Sequence, residues 1–113
     1  MIITKNEPFT KKEIEQLKEQ FDLYIKTVID IHNKICSAGC DRHFESEQIL
    51  LQKGSKQEHL WGGGVDIASK TIDFNSFINI RPSQKNFSNE IQDEKIREKF
   101  KKLSEYFFKD LYE

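Results

Sequence analysis

The sequence predicts an α+β domain: an antiparallel meander of three to four strands, a long N-terminal helix and a C-terminal helix, in the order β-α-β-β-β-α. Three observations carry this. Apolar residues recur at three- and four-residue steps from Ile14 to Ile35 and again from Ile96 to Leu111, the spacing of helices that bury one stripe. Between them the period drops to two, most clearly at Ile72, Phe74, Ile78 and Ile80, as in a half-buried strand. Covering one face of the meander with both helices buries both stripes economically. With 113 residues the chain has the size of one domain, so 1–113 is read as a single α+β unit.

Met1-Ile2-Ile3-Thr4 reads as a short edge strand stopped by the Glu7-Pro8 turn. Thr10 with Glu13 three residues on is a capping box. The stripe that follows is Ile14, Leu17, Phe21, Tyr24, Val28, Ile31 and Ile35, with Lys11, Lys12, Glu15, Lys18 and Glu19 on the solvated side and Gly39 as a left-handed C-cap. A helix of that length is unusual in a small domain, so a break near Asp22 into two packed helices is an open alternative. A strand over Thr27 to Ile31 is the rival reading, given its β-branched residues. The unbroken stripe decides for helix.

After Gly39, His43 to Leu51 reads as a loosely alternating strand, and Lys53-Gly54-Ser55 as a turn. Leu60-Trp61 to Ile67 is the next strand, where Gly62-Gly63-Gly64 signals a bulge or a close backbone approach. Thr71 to Arg81 is the last strand; Asp73, Asn75, Asn79 and Arg81 share its polar face, and only Ser76 and Phe77 break the alternation. Pro82 cannot continue a ladder. Asn89 with Gln92 suggests a second capping box, ahead of a helix that buries Ile96, Phe100, Leu103, Phe107 and Leu111.

Eighteen basic against nineteen acidic residues argue against strong nonspecific nucleic-acid binding, which needs a basic excess. No run approaches the roughly 18 apolar residues of a membrane span, and Met1 to Pro8 lacks the basic end and apolar stretch of a signal peptide. The expectation is a cytoplasmic protein with no membrane partner. Two cysteines are too few for a disulfide scaffold and read as free thiols.

The leading candidate site is Arg81, Ser83, Gln84, Lys85, Asn86 and Ser88. If Ile80 faces the core, Arg81 points outward, and the loop leads into the amino end of the last helix. A guanidinium, hydroxyls, amides and a positive dipole would then converge on a phosphate or carboxylate. The competing reading is a capped turn in which these groups satisfy the backbone. Ser55, Lys56 and Gln57 of the preceding hairpin, with His43 and Trp61, complete the expected ligand-binding set, although a single tryptophan in a strand also fits a core position.

Cys36, Cys40 and His43, with His59 or His32 as a fourth ligand, have a spacing that could gather around zinc. The second paired knuckle of a zinc ribbon is missing, so no metal and no cofactor is assigned. Gly62-Gly63-Gly64 is no phosphate loop, because neither Gly-Lys-Ser/Thr nor a helix follows. Tyr106, Phe107, Phe108 and Tyr112 offer more aromatic surface than one stripe hides, which raises a homodimer contact against simple packing.

The chain resembles a family of small bacterial proteins known only as a domain of unknown function. Gly54-Ser55-Lys56-Gln57-Glu58 with Leu60-Trp61-Gly62 carries the likeness, as do Ile78-Asn79-Ile80-Arg81-Pro82-Ser83-Gln84, Asn86, Ser88 and Asp93 to Ile96-Arg97; His43 matches too. Phe87 stands where the family usually has arginine. Cys36 and Cys40 stand where it has an apolar residue and glycine, and Gly63 and Gly64 replace ordinary strand residues. The resemblance implies no activity, substrate or cofactor, but supports treating the two polar segments as parts of one surface.

These readings lead to a non-catalytic binding module that takes an anionic, phosphate-bearing ligand or a protein partner through residues 54–57 and 81–88. One alternative is an RNA-acting enzyme resembling small ribonuclease toxins, using Arg81, Lys85 and His43. Another is an interaction or assembly protein that uses the aromatic C-terminal helix.

Overall fold

The computed structural model describes residues 1–111. Five strands and three helices are found among them: β1 (Ile3–Lys5), α1 (Lys11–Gln20), β2 (Tyr24–Asp30), β3 (Ile35–Ala38), α2 (His43–Gln52), β4 (Leu60–Asp66), β5 (Ile72–Asp73) and α3 (Glu94–Phe107). Single 3-10 turns lie at Gln57–His59, Phe77–Asn79, Pro82–Gln84 and Lys109–Leu111. The strands form one antiparallel sheet in the order β1-β3-β2-β4-β5. The α+β class and antiparallel sheet agree with the sequence reading. The strand count and the element order do not.

The long N-terminal helix is the first correction. The Thr10–Glu13 capping box is present and α1 buries Ile14 and Leu17, but the helix stops at Gln20. The rival strand reading holds for the next segment, though the strand runs over Tyr24–Asp30, so the chain breaks near Asp22 without forming the second packed helix of that alternative. Tyr24 and Val28 are four apart, a spacing shared by a helical stripe and by one face of a strand. The β-branched Thr27-Val28-Ile29 run decides between them, since such side chains fit a pleated surface better than a helix. Ile25 and Ile29 then pack toward α1 and α3, and Val28 toward Leu50 of α2.

The opposite correction applies to His43–Gln52, which is helix rather than strand. Glu45 accepts the backbone N–H groups of Asp41 (3.0 Å) and Arg42 (2.9 Å), pinning the entry. Ser46, Glu47 and Leu50 form its buried face at helical spacing. The helix lies on the sheet face opposite α1 and α3, so the molecule has three layers instead of two. The main core, around Phe9, Leu17, Trp61, Phe100 and Phe107, fills one side; a smaller cluster of Val28, Leu50 and Leu60 fills the other.

The strand expected from Thr71 to Arg81 survives only at Ile72–Asp73. Ser76 caps the turn at Phe77–Asn79 by accepting the Ile78 N–H, which ends the ladder. Asp93, not Asn89, caps α3 through the N–H groups of Lys95 and Ile96. The close backbone approach expected at the glycines is present: a Cβ on Gly63 would meet the Asp73 carbonyl and the Phe100 ring, and one on Gly64 the Tyr24 ring. Phe107 and Phe108 are fully buried against Phe9, leaving Tyr106 as the exposed aromatic there. Tyr112 lies outside the described residues. Among the described residues no helix is long and apolar enough to cross a membrane.

Asp30 closes β2 and fixes the turn into β3. Its carboxylate accepts the N–H groups of His32 (2.9 Å) and Asn33 (2.8 Å), the Asn33 amide (3.0 Å) and the Ser55 hydroxyl (2.6 Å). Burial alone would raise this carboxyl, but those donors hold it below its ordinary 3.8. A carboxylate favoured in the folded state adds full stability above its unfolded pKa and loses it as pH falls through the lower folded value. The stability advantage of the wild type over Asp30→Asn, measured by urea unfolding, should therefore be greatest above about pH 5 and shrink below about pH 4. An advantage that stays flat across that window rules out the carboxylate as its source.

Candidate functional site

The two polar segments do fold together, but their polar atoms face each other. Arg81 donates from Nη1 to the Gln57 carbonyl (2.7 Å) and Gln84 Oε1 (2.8 Å), and from Nη2 to the carbonyls of Leu60 and Ile78 (3.0 Å). Gln84 donates in turn to the Glu58 carbonyl (3.0 Å). The guanidinium stacks on Trp61, 4.4 Å from the ring centroid, and Arg81 is only 8 % exposed. The outward-pointing Arg81 expected from strand alternation is thus overturned. With the strand ended at Asp73, nothing keeps Ile80 facing in, and Ile80 is exposed while Arg81 turns inward.

The other members of that set divide in the same way. Asn86 is buried, and its amide donates to the carbonyls of Asn79 (2.8 Å), Ser88 (3.0 Å) and Glu90 (2.8 Å). Ser88 closes a local turn with Glu90. Ser55 is bound to Asp30. Trp61 is a core residue. Ser83, Lys85, Lys56 and Gln57 keep exposed side chains, so of the expected ligand-binding groups in 54–57 and 81–88 the exposed ones are one hydroxyl, one amide and two lysines, beside the exposed ring of Phe87. The amino end of α3 is already occupied by the Asp93 carboxylate, which removes the dipole from the expected anion site.

Cys36 and Cys40 are free and buried, and burial pushes both thiols above their ordinary value. Among the described residues no three His, Cys, Asp or Glu side chains are grouped to hold a metal ion.

His43, the remaining member, opens a different place. As the first residue of α2 it sits over the glycine strand, with Nε2 2.7 Å from the Gly63 carbonyl. A carbonyl only accepts, so Nε2 carries the proton and Nδ1 of the neutral ring is left as an acceptor. Burial holds its pKa below the ordinary 6.5; the Gly63 carbonyl opposes this and Lys26 reinforces it. A cleft of about 410 Å³ opens beside the ring. Phe44 and Phe77, 50 % and 80 % exposed, line it together with Ile78. Its charged groups are Lys26, Arg42 and Asp41. One turn along α2, Glu47 is 7 % exposed and its Oε2 has no hydrogen-bond partner.

Mostly apolar walls, a fixed imidazole and two cations against one carboxylate suit a small ligand with a flat apolar body and a negative end. Sequence reasoning named His43 but missed Lys26, Phe44 and Phe77. The signal for Phe77 was present: it is one of the two residues that broke the alternation of the expected strand. A family model described as "protein of unknown function (DUF5674)" matches residues 1–107. The chain belongs to the DUF5674 family. Neither the curated proteins nor the solved structures contain a match. Membership in DUF5674 carries no activity, so the chemistry of this member has to be read from its own side chains.

Proposed function

We propose that the protein is a non-catalytic binding module for a small anionic ligand with a planar apolar body, carboxylate- or phosphate-bearing, held in the His43 cleft. In this reading the segments 54–57 and 81–88 are framework, and what they hold steady is the wall contributed by residues 76–78. The carrying observation is the cleft itself, where Phe44 and Phe77 flank an imidazole with one committed nitrogen, near Lys26 and Arg42. Exposed aromatic rings supply contact area with little ordering cost, and the cations supply orientation. A cytoplasmic setting belongs to the same proposal, supported by two free, buried thiols.

The test uses amide NMR with phenyl phosphate and benzoate as probes and benzylamine as the cationic control. Both anions should shift the amides of Lys26, His43, Phe44, Phe77 and Ile78, and benzylamine should not. Lys26→Gln and Phe77→Ala should each weaken phenyl phosphate by about tenfold, the equivalent of one charge-assisted or aromatic contact. Shifts located elsewhere, or affinity unchanged in both variants, would remove this site from consideration.

A further inference from the structure

A second groove, separate from the His43 cleft, has a more uniform charge. The imidazoles of His32 and His59 stack with centroids 4.6 Å apart and planes 27° from parallel. His32 comes from the β2–β3 turn and His59 from the turn ahead of β4. Both backbones are tied down. Asp30 accepts the His32 N–H, the Ile31 N–H donates to the His59 carbonyl (3.0 Å), and the His59 N–H donates to the Lys56 carbonyl (3.0 Å). Arg81 grips the carbonyls of Gln57 and Leu60 on either side of Glu58-His59. Ser55 ties the same loop to Asp30.

The groove beside this pair holds about 630 Å³. Lys34, Lys99 and Lys102 line it with the two histidines, over Ile31 and Leu103, and among the described residues no carboxylate does. Acids lie at its edge: the Asp30 carboxylate is 2.9 Å from the His32 backbone nitrogen, Glu58 Oε1 is 3.9 Å from His59 Nε2, and Glu98 Oε1 is 3.7 Å from Lys102 Nζ. His59 Nδ1 is buried with no hydrogen-bond partner. In a chain with a net charge of −1, three lysines around one concavity are a local concentration of positive charge that the overall balance conceals, and the two imidazoles add hydrogen-bonding edges beside them.

We infer that this groove is an anion site for a di- or oligophosphate. Spread-out ammonium groups match several negative centres better than one, and the volume exceeds what a single phosphate fills. The apolar floor of Ile31 and Leu103 lowers the local dielectric and strengthens each contact. Lysine suits this role as a point charge toward phosphate oxygens. The network through Asp30, Ser55 and Arg81 fixes the backbone that carries both histidines before any ligand arrives, which cuts the ordering cost of binding.

The experiment is amide NMR and calorimetry on the full chain with tripolyphosphate, pyrophosphate, inorganic phosphate and sulfate as probes. Affinity should fall in that order, with pyrophosphate shifting the amides of residues 31–34, His59 and residues 99–103. The double variant Lys34→Gln/Lys102→Gln, both exposed positions, should weaken pyrophosphate at least tenfold with the fold intact. Phe77→Ala should leave pyrophosphate binding unchanged, which separates this site from the His43 cleft. Equal affinity for all four anions, shifts scattered over every lysine, or full affinity in the double variant each defeat the assignment.

Discussion

Replacing Arg81 by methionine is expected to cost about 3–5 kcal/mol of unfolding free energy, a large part of what a small domain possesses. Arg81 gives its Nη hydrogens to three backbone carbonyls and the Gln84 side chain, all around one buried point. Methionine fills much of the volume and can still lie on Trp61, so hydrophobic contact is largely retained. What is lost are bonds from a charged donor, each worth about 1.5–3 kcal/mol, and buried carbonyls are left without partners. Burial lowers the Arg81 pKa below its ordinary value, but the guanidinium stays charged at any working pH.

The comparison that decides the matter is within the same segment. Ser83→Ala and Lys85→Gln alter exposed side chains and should stay within about 0.5 kcal/mol of wild type. Arg81→Lys keeps the charge but offers a compact ammonium where a planar fork is needed, so it should recover only part of the loss. If Arg81→Lys unfolds with the wild-type urea midpoint, or the methionine variant costs less than about 1 kcal/mol, the guanidinium is not the structural hub. A folded methionine variant should also lose pyrophosphate affinity, because His59 sits between two of the carbonyls that Arg81 holds.

The sequence was most legible where local chemistry and tertiary packing agree. The Thr10–Glu13 box, the β4 strand and the apolar stripe of α3 belong to that class; each is specified by residues within a few positions of one another. It was least legible at Tyr24–Asp30 and His43–Gln52. A four-residue step fits both a helix and one strand face, and only the neighbouring strands of the sheet decide which is formed. The polar run at 81–88 stood out as dense in hydrogen-bonding groups, and that density is real. Its purpose was hidden, because whether such groups face water or backbone carbonyls depends on Ser76 ending a strand five residues earlier. Lys26 and Phe44 lie on elements far apart in sequence from Phe77, so the His43 cleft is a product of topology and leaves no linear motif.

Asn79 is the second residue whose replacement should be severe, and its aspartate variant carries a signature that distinguishes cause from coincidence. The side chain is fully buried. Its Oδ1 accepts the Gly62 N–H (2.8 Å), while Nδ2 donates to the carbonyls of Gly62 (2.9 Å), Phe74 (3.1 Å) and Asn89 (2.9 Å). The amide thus acts as an extra rung beside β4 and ties the start and end of the 74–89 loop to the sheet. Asn79→Ala should cost about 2–4 kcal/mol through unpaired backbone groups and lost packing. Asn79→Asp is nearly isosteric, yet at neutral pH it sets a carboxylate against three carbonyl oxygens. Burial and those oxygens favour the protonated acid, so the folded pKa of the new group must lie above its unfolded value. The stability of Asn79→Asp relative to wild type should accordingly be best below about pH 4 and decline as pH rises toward the raised folded pKa. That slope is opposite in sign to the one expected from Asp30. Urea titrations of both proteins across that range read it directly, and a pH-independent deficit in Asn79→Asp would mean the three carbonyls do not face the site.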